Sequence, residues 1–588
     1  MLRLAAAVLG VVICIGVGLV GAPALSAARA TPTPAPTATP RATTPTPVPA
    51  TTSTRPVAAP TPPPPSTPGQ PSTTTVQPTA AAPATTVPPP VMTPQATPAS
   101  LAGLAATSTP SSTVGDLDPP ELRAVWVDAF HDGVKTPEQV DQLVAWARSA
   151  NLNALFVQVR RRGDAYYLQS FEPRTEDPDL APGFDALQYL IEKAHQGPQR
   201  LQVHAWLATL PVWHQHTVPP LAPTHVFNQH GLVDDPAQTW LMLRDDGEAW
   251  AGNSDGGIYY LDPGNPDAAR YTTDVYLNVV RQYDLDGIHL DQVRYYEGDA
   301  LRWGYNPTSV ARFNQQFGRD PASQPAPTDA AWIAWRRDQV TALVRRIYLE
   351  AKAIKPQLAV TAAVVAWGAG PRTADDWAHQ APFASVLQDW RGWLQEGIVD
   401  YVLPMDYYRE NGQQAAWFDT WTQWQAANSG RRGVVLGLGA YLNPLDGVLA
   451  QLGRARALNP LGVAIYSYAV PTRELEGASQ VDRDAFAAEL RGIFSRPAPV
   501  PRLAWLNQPL VGSILVDVEG HANVAVSLDD ALGQRHTWRT DGTGETGATD
   551  LPPGPATVTV QDPAVDPVPV SIEVTAGSVT VIRYAPGG

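Results

Sequence analysis

The chain of 588 residues contains one cysteine, Cys14. No disulfide within the chain and no thiolate metal site can therefore be built. Runs of basic residues are also missing, and the net charge is −15. Nucleic acid and direct attraction to an anionic membrane surface are thereby excluded as expectations. Between residues 31 and 115 the only charged side chains are Arg41 and Arg55, and the stretch is mostly Pro, Thr, Ala and Ser. It has too little apolar surface for a core, and proline keeps it extended, so it is expected to be a disordered stalk over 31–118. Long hydrophobic runs are confined to the start. Arg3 precedes a nearly continuous apolar stretch from Leu4 to Leu25, followed by Ala28-Arg29-Ala30. Residues 1–30 therefore read as an export signal, or as an uncleaved membrane anchor because the stretch is long enough to span a bilayer. Either reading implies a secreted or cell-surface protein.

The remaining chain is rich in apolar and aromatic residues, with 18 Trp and 19 Tyr. From Glu121 onward, strand-like and helix-like segments alternate eight times. The expected strands are 122–128, 153–160, 201–207, 286–291, 358–365, 400–405, 433–439 and 462–467. The first expected helix carries Thr136 as its cap, Pro137 at the first helical position and Gln139 closing a capping box. Asn265-Pro266 and Asn443-Pro444 read as two further starts, and the last helix as 482–494. Eight such pairs over 119–497 predict an α/β fold, a (β/α)₈ barrel with long loops. Residues 498–588 hold short β-rich runs separated by Gly, Pro and Asp, which predicts a small β-sandwich. Its run 540–560 resembles the carboxypeptidase regulatory-like domains, which implies an accessory rather than a catalytic role.

In a barrel of this kind reacting groups lie at the C-terminal ends of the strands, and side chains alternate along each strand. Alternation places Trp126 and Asp128, Gln158 and Arg160, His204 and Trp206, and Gly287, His289 and Asp291 inward. Trp367 and Tyr441 follow later strands. Carboxylates, an arginine and aromatics around one mouth suit a sugar. Asp128 also reads as a loop cap, and Arg160 as a partner of Asp164 or Asp128. A metal reading rests on the His214-Gln215-His216 pair with His204 before it. It is the weaker one, because strands five and six end in Trp367 and Asp406; no metal and no cofactor are expected.

The segments ELRAVWVDAFHDG (121–133), NALFVQVRRRGDAYY (153–167), DGIHLDQVRYY (286–296), QDWRGWLQEGIVDYVLPMDYY (388–408) and GVAIYSY (462–468) resemble glycosyl-hydrolase-like family ten. Those are bacterial barrels, some of them peptidoglycan glycosidases acting on glycan strands stripped of stem peptides. The resemblance implies that Asp291 is a catalytic carboxylate, with Arg160 and Asp164 in the cleft, and that the substrate is a cell-wall or extracellular polysaccharide. The chain departs from the family pattern at Gln292, where many relatives carry a second acid, and at Asp406, where an amide or apolar residue is usual. Asp406 is moreover placed facing the helices by alternation, with Met405 and Tyr407 inward. Asp128, Asp164, Glu172, Asp406 and Glu410 therefore compete for the second carboxylate. The expected catalytic set is Asp291, Asp406 and Asp128. The expected substrate-binding set is Arg160, Asp164, Trp206, His289, Arg294, Trp367, Tyr407, Tyr441 and Tyr466. The alternative is a non-catalytic barrel that binds wall polysaccharide.

Overall fold

In the computed structural model, residues 117–253, 256–475, 477–561 and 567–584 are described. The expected signal or anchor, Cys14 and almost all of the expected stalk lie outside the described residues. Among the described residues no helix is long and apolar enough to cross a membrane.

Eight parallel strands close into one barrel: β1 (Leu122–Val127), β2 (Ala154–Arg160), β3 (Gln202–Ala208), β4 (Gly287–Asp291), β5 (Ala359–Val365), β6 (Tyr401–Asp406), β7 (Gly433–Gly439) and β8 (Gly462–Tyr466). The ring closes where β1 pairs with β8, Leu122 opposite Gly462. Each strand leads to a helix of the outer layer: α1 (Pro137–Ser149), α2 (Ala186–His195), α3 (Pro266–Gln282), α4 (Ala330–Ile354), α5 (Trp390–Glu396), α6 (Gly412–Ala427), α7 (Leu445–Ala457) and α8 (Gln480–Ile493). Strands buried on both faces read as nearly continuous apolar runs, which is why their positions were legible to within a residue or so.

The helix starts differ in detail from the sequence reading. Thr136 accepts the Gln139 amide at 3.3 Å, but the Gln139 side chain bonds the amides of Gly133 and Lys135 instead of closing a box on Thr136. Asn265 caps α3 through the amides of Asp267 and Ala268. Asn443 does not cap α7; its Oδ1 accepts the Glu410 amide at 2.6 Å. Its amide donates to the Tyr408 carbonyl at 2.8 Å and so ties the loop after β6 to the start of α7.

The barrel interior is packed rather than open, as small barrels require. Two glycines make room for rings. A Cβ on Gly287 would lie 2.1 Å from His204 Nδ1, and one on Gly437 would lie 2.7 Å from the Trp126 ring. Between β3 and β4 the chain makes a long excursion that includes a three-stranded sheet of Pro211–Trp213, Gly256–Tyr260 and Ala251–Asn253. That sheet continues from the C-terminal end of β3 and so stands on the mouth side.

Residues 512–584 form two sheets. Strands β9 (Gly512–Val518), β12 (Glu545–Leu551) and β15 (Val579–Tyr584) make one; β10 (Ala525–Asp529), β11 (Arg535–Arg539), β13 (Gly554–Gln561) and β14 (Val568–Val574) make the other. They share one apolar core that includes Ile514, Val516, Val526, Leu528, Val558 and Val560. This sandwich is fastened to the barrel's outer layer. Arg346 of α4 meets Glu545 at 2.9 Å, Arg432 meets Asp550 at 3.0 Å, and Arg270 of α3 donates to the Thr543 carbonyl at 3.4 Å. A Cβ on Gly547 would lie 2.5 Å from Leu349 Cδ1 of α4 and 2.3 Å from the Ile514 carbonyl oxygen. Gly547→Val should therefore destabilise the chain by about 1–3 kcal/mol, as overpacking does. Urea unfolding checks this, and an unchanged midpoint would mean that the sandwich is not seated on α4.

Candidate active site

Asp291 ends β4 with its side chain inward, as alternation implies. Trp206 of β3 donates its Nε1–H to Asp291 Oδ2 at 3.0 Å. The other oxygen accepts the amide of Gln292 at 2.7 Å. That second bond is made by a backbone reversal: Gln292 has φ 50°, in the left-handed region that non-glycine residues seldom occupy. Such a conformation is held by its surroundings and clusters at functional sites. Burial pushes the Asp291 carboxyl above its ordinary range. The Arg294 guanidinium, the Gln292 amide and Trp206 pull it back, and Glu297 pushes it further up.

Under Asp291 lies a hydrogen-bonded floor. Trp126 Nε1 can only donate, and it donates to His289 Nε2 at 3.1 Å. The His289 proton therefore sits on Nδ1, 2.9 Å from Thr361 Oγ1, whose own hydrogen goes to the Ile288 carbonyl. Burial holds the His289 pKa well below its ordinary value, so the ring stays neutral. His289 is fully buried. It was expected to bind substrate; it supports the site from below instead.

Above the floor an aromatic wall rises from β6, β7 and β8. Tyr407 stacks on Tyr466 with centroids 5.4 Å apart, and Tyr441 stands edge-on to both, at 6.0 and 5.8 Å. Trp206 lies edge-on to Tyr466 at 6.4 Å. Trp367, after β5, carries the Arg294 guanidinium 5.7 Å from its ring centroid. Trp206, Arg294, Trp367, Tyr407, Tyr441 and Tyr466 thus gather around Asp291. All but Trp206 and Arg294 are half-buried.

Arg160 is a correction. Gln158 of β2 stands opposite Trp206, but Arg160 stands opposite Leu207, because the register shifts between 158 and 160. Such a bulge inserts one residue and reverses which face the next side chain takes. Arg160 consequently leaves the inward row. It forms a bidentate pair with Glu172, both distances 2.8 Å, and donates to the carbonyls of Ala208, Thr209 and Pro211. Tyr271 of α3 also donates to Glu172 at 2.7 Å. Arg160 pairs with neither Asp164 nor Asp128, and Glu172 is withdrawn from the contest for a second acid.

Two more carboxylates leave the contest. Asp406 faces α6, as alternation requires, and accepts Gln425 Nε2 at 2.9 Å; it is fully buried and burial raises its pKa well above the ordinary range. Its place in the expected catalytic set is not supported by this position. Glu410 is held by a two-bond pair with Arg454, both bonds 2.8 Å. Asp164 accepts the amides of Arg161 and Arg162 and shapes the turn after β2. Asp128 does cap its loop, taking the amides of Phe130 and His131 and the His131 ring on Oδ1, while Oδ2 is buried with no hydrogen-bond partner among the described residues.

Glu297 was missed by the sequence reading, because it lies in the loop beyond β4, where strand alternation no longer aims a side chain. Its Oε2 lies 3.9 Å from Arg294 Nη2 and has no hydrogen-bond partner among the described residues. The three histidines of the metal reading part company. His204 stacks on Phe156 inside the barrel at 4.4 Å, His214 stands against Trp213, and His216 stacks on Trp250.

The placement of Arg160 has a measurable consequence. Arg160→Met strands Glu172 in a buried place and should cost about 3–5 kcal/mol of stability. Thermal unfolding checks this. Unchanged stability with a selective loss of substrate affinity would instead return Arg160 to the cleft.

Comparison with known proteins gives the chain its family. Glycosyl hydrolase YngK of Bacillus subtilis is 28% identical over 416 residues, covering 66% of this chain and 74% of YngK. Glycosyl hydrolase DigH of Escherichia coli K12 is 27% identical over 334 residues, covering 54% of this chain and 68% of DigH. The glycosyl hydrolase-like 10 family is matched over residues 121–444, which spans β1 to β7 with Asp291 and the other acids of the candidate site. The chain belongs to the glycosyl hydrolase-like 10 family, and its barrel is that of a glycoside hydrolase.

Proposed function

We propose that this protein cleaves glycosidic bonds of a cell-wall or extracellular polysaccharide, peptidoglycan-like in kind, with Asp291 as the acid–base group. The observation that carries the reading is the setting of Asp291. It is a carboxyl at the C-terminal end of a barrel strand, its pKa raised by burial, with aromatic faces beside it. Cleaving an acetal near neutral pH needs a proton for the leaving oxygen and negative charge near the oxocarbenium-like centre. A carboxyl whose pKa is raised by burial suits the first task. Of the acids discussed, Glu297, which acts on Asp291 electrostatically, is the carboxylate left for the second, with the buried Asp128 behind it. Tyr407, Tyr441, Tyr466 and Trp367 offer ring faces to the apolar sides of sugars. Export is part of the reading: the apolar N-terminus followed by a Pro/Thr-rich stretch fits an enzyme held outside the cytoplasm, where such a glycan is found.

Asp291→Asn nearly preserves shape and should leave glycan affinity unchanged while lowering kcat at least about 100-fold, the usual scale for a lost acid–base group. The assay is reducing-sugar release from wall glycans. Wild-type turnover by the variant would remove Asp291 from the centre. Tight binding without turnover by the unaltered protein would favour a wall-binding barrel.

The pH profile gives a separate check. If protonated Asp291 is the acid, kcat/KM falls on the alkaline side as Asp291 ionises. Arg294 favours the ionised form, so Arg294→Met should move that alkaline limb to higher pH. A limb that stays put or moves down would mean that another group donates the proton.

A further inference from the structure

Trp206 was expected among the substrate-binding residues, yet its ring has little face to offer a sugar. It is 6% exposed. Tyr466 lies edge-on to it at 6.4 Å and His289 at 6.5 Å. β3 holds it beside β4, opposite His289. What it does offer is its Nε1–H, donated to Asp291 Oδ2 at 3.0 Å.

An aspartate carboxyl by itself turns loosely about its last bond. Two donors from different parts of the chain end that freedom here. The Gln292 amide, aimed by the reversed backbone, holds Oδ1 at 2.7 Å, and the Trp206 indole, set by its packing on β3, holds Oδ2. With both oxygens held, the plane of the carboxyl is fixed.

The kind of donor matters as much as its place. An amide N–H and an indole N–H give a hydrogen bond and cannot receive one. No other hydrogen bond reaches the Asp291 carboxyl among the described residues. When Asp291 is protonated, its O–H therefore points away from both donors and finds no acceptor among those residues. When the proton leaves, the negative charge falls on oxygens that already hold an N–H each. Hydrogen bonds to a charged oxygen are stronger than those to a neutral one. The Trp206 bond thus strengthens as the proton moves, which lowers the barrier instead of tightening substrate binding.

We propose that Trp206 is a positioning residue for proton transfer: with the Gln292 amide it fixes the plane of the Asp291 carboxyl, leaves its O–H to the bound glycan and stabilises the carboxylate left behind. This rests on the reading of Asp291 as the acid. In the step, the Asp291 O–H bond breaks and its electron pair stays on the carboxylate. The proton forms an O–H bond on the glycosidic oxygen, which keeps the pair of its breaking bond to the sugar carbon. The Trp206 N–H favours the ionised carboxyl, so its loss favours the protonated one. Arg294 and Glu297 in the loop after β4, Tyr276 of α3 and Tyr407 after β6 also face Asp291, both tyrosines kept neutral by burial. All of them remain when residue 206 alone is changed.

Trp206→Phe removes the N–H with part of the ring. Replacing Trp206 by β-(3-benzothienyl)alanine, in which sulfur stands where the N–H was, removes the donor and nearly keeps the shape. The Asp291 pKa is followed by ¹³C NMR titration of the aspartate carboxyls, its signal assigned by its absence from Asp291→Asn. The pH dependence of kcat and KM is measured on wall-glycan strands. Both replacements should raise the Asp291 pKa and move the alkaline limb of kcat/KM to higher pH. They should lower kcat at least about tenfold, the loss expected for a hydrogen bond to a charged group, with KM retained. A lower kcat with an unmoved Asp291 pKa would make Trp206 a packing residue only, and a raised KM with kcat retained would make it a sugar platform; either result overturns the proposal. If Trp206→Phe does not fold, the benzothienylalanine protein decides. If the unaltered protein turns over no glycan, the glycosidase reading fails by itself. The NMR titration then still decides the hold of Trp206 on the carboxyl: a raised pKa in the benzothienylalanine protein upholds it, and an unchanged one overturns it.

Discussion

Closure of eight parallel strands turns every second side chain into a packed interior, and the mouth is built on what fills it. The filling is a joined set. Trp126 reaches across to His289, His289 to Thr361, and Thr361 back to the Ile288 carbonyl. Glycines at 287 and 437 leave room for the rings of His204 and Trp126. These partners set the tautomer of His289, and Trp206, which stands opposite His289 across β3 and β4, donates to Asp291. A catalytic acid needs placement as much as it needs the right pKa.

Electrostatics then sorts the acids. A chain with many carboxylates brings several toward the strand ends, yet most are consumed locally: Glu172 by Arg160 and Tyr271, Glu410 by Arg454, Asp164 by two amides of its own turn. Asp291 differs because its partners are a Trp N–H and one amide, with Arg294 and Glu297 acting on it in opposite directions. Burial raises the pKa of this carboxyl while its side chain stays partly exposed, which is the direction a general acid needs.

The barrel was legible because buried parallel strands leave apolar runs that match the pleat, and because Asn265 and Pro266 mark a helix start by their own chemistry. Alternation also aimed Trp206, His289 and Asp291 inward and Asp406 outward. It failed at Arg160, since one extra residue in β2 reverses the pleat and nothing in VQVR distinguishes a bulged strand from a regular one. The Glu172 partner was illegible for a related reason: it lies 12 residues on, across a loop whose path depends on α3. Glu297 fell outside any periodic segment. Asn443 looked like a cap beside Pro444, but the carbonyl of Tyr408, brought near only by the closed barrel, claims its amide.

On this reading the scissile bond lies over Asp291 at the C-terminal mouth. The most direct measurement is a crystal structure of the Asp291→Asn protein with a bound wall-glycan oligosaccharide. The glycosidic oxygen should lie within hydrogen-bond distance of the side chain at 291, with a sugar face against Tyr407 or Tyr466. A glycan seated on the sandwich, or at the opposite end of the barrel with the mouth empty, would contradict it.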